Sequence, residues 1–219
     1  MVAQIVLVAH IAVLGYWLGS EFVINSTYRY VCYAGEMPFA DRDRLMGHVM
    51  NVDQHVRYAL VLQFGLGFAL AALYGFIPGG ATAAWIIAVA AAAWFVFVEI
   101  IHHIRHSSAG RLLATFDRRS RYFLMGFLLL CALTPSETWN LPFWLRVKLA
   151  LFAGVIASGV GIRLALLSHF RTWAVMARDG PSDETNAIIR RTYWKATSVL
   201  LVLWLFIAGI VTLSIWKPG

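Results

Sequence analysis

The sequence predicts an all-α, polytopic membrane bundle of six transmembrane helices with both termini outside, forming a single domain over 1–219. Three observations carry that prediction. Hydrophobic residues make up 60% of the chain and charged residues 13%, with a mean hydropathy of +0.71. Soluble domains carry roughly 25% charged residues, so this chain lacks the polar surface to face water on every side. Apolar runs of about 20 residues, enough helix to cross a hydrocarbon core, recur along the chain. Basic residues concentrate in alternate connections between those runs, which orients the bundle.

The first helix is predicted over 3–26; it lacks a basic leader and contains His10, Glu21 and Asn25, so it reads as a retained anchor and not a cleaved signal peptide. The connection 27–53 holds Asp41, Arg42, Asp43 and Arg44 in one stretch and predicts a short amphipathic helix leading into the second span. Tyr58 to Val98 contains no charge, and Pro78-Gly79-Gly80 divides it into helices over 54–77 and 81–104. The fourth, 120–135, is short and closed by Pro135. The fifth and sixth are predicted over 142–168 and 193–216.

Loop charge sets the topology. Arg105, Arg111, Arg118, Arg119 and Arg121 lie between helices three and four, and Arg171, Arg178, Arg190, Arg191 and Lys195 precede helix six, so both segments belong in the cytoplasm. The connections 78–81 and 136–141 carry nothing positive and belong outside. A bacterial inner membrane is the expected location. The net charge of +7 is explained by this arrangement and by anionic lipid, with no call on nucleic acid. Cys32 and Cys131 fall at opposite faces, so no disulfide is expected, and no CxxC metal or redox motif occurs.

At 1.5 Å per residue, position converts to depth, and the polar groups inside the spans form two layers. His10, Arg146 and Lys148 form the outer one, with His10 and Lys148 at similar depth. Arg146 also suits a cap on the outer end of helix five. The inner layer holds Glu21, Asn25, Asp53, His55, Arg57, Glu99, His102, His103, His106, Arg163 and His169. Glu99, His103 and His106 share a helical face, and Arg163 is expected to pair with Glu21 or Glu99. Ionisable groups are costly at such depth and face a bundle interior, a partner or a ligand.

Imidazoles at two depths in an apolar bundle suit b-type haem, which needs axial nitrogens from facing helices and an apolar slot. His10, His55, His102 and His103 are the axial candidates, His106 adjoins them, and Lys148, Arg57, Arg163 and Arg146 are cations suited to the propionates. One haem or two stacked across the bilayer would make a membrane electron carrier, with a quinone or a dehydrogenase as redox partner; a homo-oligomer is compatible with the sequence. The alternative cargo is copper, for which Met46, His48, Met50 and His55 supply soft and imidazole donors. A non-catalytic scaffold is the third reading.

His10-Ile-Ala-Val-Leu-Gly-Tyr-Trp17-Leu-Gly19 and Trp144-Leu-Arg146-Val-Lys148-Leu resemble two stretches of the membrane superfamily that includes the copper-resistance protein CopD and the protoporphyrinogen oxidase HemJ. The resemblance implies haem binding by His10, a functional role for Lys148 and an oxidoreductase activity, of which protoporphyrinogen oxidation is one form. HemJ-like proteins are shorter four-span chains with Leu-Pro-Arg after the first-helix tryptophan, where this chain has Glu21-Phe-Val-Ile-Asn25. The inference that carries over is the broader one, a haem-bearing membrane redox protein.

Overall fold

The computed structural model describes residues 1–104, 107–134 and 141–217. Its elements are six helices: α1 (Val2–Tyr33), α2 (Phe39–Leu73), α3 (Gly80–Ile104), α4 (Ser108–Leu133), α5 (Phe143–Asp179) and α6 (Asp183–Trp216). Each packs on its chain neighbours, and α1 also meets α6. Five are long and apolar enough to cross a membrane. The other is α4, whose first half carries Arg111, Asp117, Arg118, Arg119 and Arg121.

The centre is shared by α1, α2, α5 and α6, where Trp17, Ala59, Val155, Leu203 and Ile207 pack together. Leu128 of α4 joins Ala153 and Ile156 of α5 in an adjoining cluster. Close approach depends on two glycines. A Cβ on Gly65 would lie 2.3 Å from the Ala91 Cβ, and one on Gly154 would lie 2.9 Å from the Phe206 ring. Outward faces carry exposed Trp85, Ile86, Phe123 and Leu205, the apolar belt that a bilayer covers.

The helices overrun the predicted spans at one end of the bundle. There α1 continues to Tyr33, α5 to Asp179, and α2, α4 and α6 begin at Phe39, Ser108 and Asp183. The expected lead-in and second span are one continuous helix. Hydropathy marks where the surroundings change, whereas a helix stops where its backbone is capped. Ser107 Oγ accepts the Gly110 N–H at 2.9 Å to start α4, and Ser182 and Thr185 form a capping box for α6. Gly180, at φ +88°, closes α5. We call this the basic end.

The overrun encloses its own core: Tyr28, Val31 and Cys32 of α1 against Met46 and Val49 of α2, Trp173 and Met176 of α5, and Ile189 and Tyr193 of α6. Fully buried Arg42 donates from Nε to the Val31 carbonyl at 3.2 Å and from Nη1 to Asn186 Oδ1 at 2.9 Å. The first bond reaches the C-terminal turn of α1, where the helix dipole favours a cation.

At the opposite end α2 finishes in a Schellman motif, with Phe76 N–H on the Ala71 carbonyl at 2.9 Å and Gly75 N–H on that of Ala72 at 3.1 Å. Gly75 takes the φ of +80° this requires, and Gly79 and Gly80 turn the chain into α3. Cys32 and Cys131 are both free.

Candidate functional site

His10 on α1, Gln63 on α2 and Lys148 on α5 converge on one cavity of about 90 Å³. Its other walls are apolar, chiefly Phe64, Phe68, Phe152, Leu145 and Leu149. The outer-layer pair expected from depth, His10 and Lys148, is therefore brought to a shared space. Gly67 makes room for the ring, since a Cβ there would sit 3.4 Å from His10 Cε1.

The amide nitrogen of Gln63 lies 3.3 Å from His10 Nε2. Placed so, the amide NH₂ donates and Nε2 accepts. Both His10 Nδ1 and Gln63 Oε1 are buried without a hydrogen-bond partner. Buried polar atoms are seldom left so, because each forfeits about 1–3 kcal/mol of solvation. Among the described residues no carboxylate lines the cavity. The Lys148 ammonium lies 5.9 Å from the Trp144 ring centroid, in cation–π range, and Lys217 approaches the same ring at 5.9 Å.

Gln63 was not singled out from the sequence, although it is a polar side chain within the charge-free run from Tyr58 to Val98. Arg146 stands apart from the site and caps α4, donating to the carbonyls of Ala132 at 2.8 Å and Leu133 at 3.1 Å.

The inner-layer histidines occupy other surroundings. His55 Nδ1 is hydrogen-bonded to the Tyr16 hydroxyl at 2.5 Å. His103 Nε2 is 2.9 Å from Glu99 Oε1 with its side chain largely exposed, and the His102 ring meets that of His103 edge-on. Tyr58 donates to the other Glu99 oxygen. His106, with Arg105, lies outside the described residues. None of His55, His102 or His103 lines the His10 cavity, and among the described residues no group of three or more His, Cys, Asp or Glu is arranged to hold a metal ion.

The expected pairing of Arg163 does not form. Glu21 accepts instead from Trp17 Nε1 at 3.2 Å, and Glu99 serves Tyr58 and His103. Arg163 is exposed on α5, and α3 packs against α2 and α4, which keeps Glu99 away from it. Arg57 pairs with Asp53 at 3.3 Å and lines a second, larger cavity, away from His10. The soft donors separate as well, with Met46 buried in the core of the basic end, Met50 packed against it and His48 exposed. Comparison with protein-family models, with curated proteins and with solved structures finds no match.

Proposed function

We propose that this chain is an integral membrane b-type haem protein that transfers electrons, with His10 as an axial ligand and Lys148 as a cation beside the porphyrin carboxylates. The observation that carries the reading is the convergence of His10, Gln63 and Lys148 on one otherwise apolar cavity, with no carboxylate among its described lining residues. The CopD- and HemJ-like stretches around His10 and Lys148 support it. We further propose that α4 is a sixth span, that both termini are outside a bacterial inner membrane, and that the basic end is cytoplasmic.

The donor set suits haem. The Gln63 to His10 contact of 3.3 Å is long for an N–H hydrogen bond, so the Nε2 lone pair is weakly held and available to iron. Phe64, Phe68 and Phe152 supply apolar walls. The space of about 90 Å³ is smaller than the roughly 300–1,000 Å³ of most cofactor sites, so a porphyrin has to turn that aromatic wall aside. Haem held there supplies one-electron redox chemistry, with a quinone or a dehydrogenase as partner. The chain contributes the ligand, the apolar enclosure that excludes water, and a fixed cation. One haem is proposed, because the inner histidines are engaged with Tyr16, Glu99 and one another.

The test is an absorption spectrum of full-length protein made with ample haem, with a pyridine haemochrome count per chain. A Soret band that shifts on dithionite and is lost in His10→Ala is expected. A folded, colourless wild-type protein overturns the haem reading, and a fully haem-loaded His10→Ala removes His10 as ligand.

A further inference from the structure

The larger cavity, about 520 Å³, lies between α2, α3 and α4. Its length is lined by Phe64, Phe68, Ile87, Trp94 and Phe127, and its polar groups, Arg57, Asp117, Ser120 and Arg121, come from the inner part of α2 and the middle of α4. Arg57 and Phe68 are eleven residues apart on one helix, about 16 Å of rise, close to half of a hydrocarbon core of roughly 30 Å. The slot therefore reaches across at least half of a hydrocarbon core, and Ile77 carries it on past the end of α2.

Charge at its polar end is unbalanced. Arg121 Nη2 binds Asp117 Oδ2 at 2.9 Å and Arg57 binds Asp53 at 3.3 Å. Of the ionisable side chains that line the slot itself, two are guanidinium groups, Arg57 and Arg121, and one is a carboxylate, Asp117. Each guanidinium has five N–H donors, more than a single carboxylate contact consumes. A long apolar slot with spare guanidinium N–H donors at its polar end matches an amphiphile with an anionic head. Basic pockets between membrane helices hold anionic phospholipids by this chemistry. A neutral quinone head would leave those donors without an anion.

We propose that this slot binds an anionic phospholipid, its phosphate taken by Arg57 and Arg121 and an acyl chain lying along Phe64, Phe68 and Trp94. The two cavities share Phe64, Phe68 and Ile77 as a common wall, so a ligand that displaces those rings from the His10 side reshapes this slot.

Delipidated full-length protein in neutral detergent is titrated with dioleoyl-phosphatidylglycerol or dioleoyl-phosphatidylcholine and read by native mass spectrometry. Phosphatidylglycerol binds preferentially, and Arg57→Gln with Arg121→Gln weakens it by about 5-fold per arginine. Ala90→Trp, which fills the slot while keeping both arginines, also removes the bound lipid. Equal binding of the two lipids, or unchanged phosphatidylglycerol affinity in both variants, overturns the proposal. So does loss of haem absorbance with retained lipid in the arginine variant, which would make these arginines partners of porphyrin carboxylates.

Discussion

His10 and His169 make the same local hydrogen bonds and differ in what surrounds them. Each uses one ring nitrogen on a single side chain, Gln63 at 3.3 Å or the Tyr28 hydroxyl at 3.0 Å, and each leaves the other nitrogen buried without a partner. His169 is fully buried in the core of the basic end, stacked on Trp173 at 5.0 Å with rings 19° apart and edged by Tyr28 and Phe170. His10 faces a cavity shared with an ammonium. An orphaned nitrogen is thus not by itself a mark of ligand binding. Open space beside the ring, and an ammonium lining the same space, make the difference.

That contrast breaks most readily at His169. Replacing it by alanine empties a packed ring site and strands the Tyr28 hydroxyl, and the expected cost is about 3 kcal/mol. Thermal unfolding in detergent measures it, while haem content per folded chain should stay at the wild-type level. A His169→Ala protein of normal stability that has lost its absorbance would reverse the roles of the two histidines. Arg42→Met is next, at about 2 kcal/mol, because it leaves the Val31 carbonyl and Asn186 Oδ1 without their buried donor. The variant also gives up the guanidinium seated 5.4 Å from the Trp173 ring centroid, and a far larger loss than these contacts account for would mean that Arg42 does more than join α1 to α6.

The two regions were unequally legible in the sequence. Hydropathy periods placed the apolar helices, and His10 stood out because a titratable ring in an apolar run has a visible cost. The partner Lys148 followed from depth alone, since antiparallel helices convert chain position into level. The basic end was read as connections because its residues are polar, yet the stop signals were present in Ser182-Asp183-Glu184-Thr185 and Gly180-Pro181. What no linear pattern carries is the lateral packing order. The pairing expected between Arg163 and Glu99 failed because α5 packs on α4 and α6 while α3 packs on α2 and α4, and Arg57, suited by its charge to a porphyrin carboxylate, lines the larger cavity and not that of His10. Gln63 was hidden for another reason: an uncharged amide barely disturbs a hydropathy window.

The smallest effect separates the regions by size. In the His10 cavity, Gln63 carries an acceptor that folding desolvates for no hydrogen bond, but its amide also gives His10 Nε2 its donor. Gln63→Leu relieves the first penalty and creates the second, so the stability of ligand-free protein should change by less than about 1 kcal/mol, where both substitutions at the basic end lower it by more. The same change removes the amide that competes for His10 Nε2. Comparing unfolding temperatures of haem-free wild type and variant decides the matter. A Gln63→Leu protein destabilised as strongly as Arg42→Met would show that the amide holds α1 to α2 as Arg42 holds α1 to α6, and would leave His10 as a core histidine like His169.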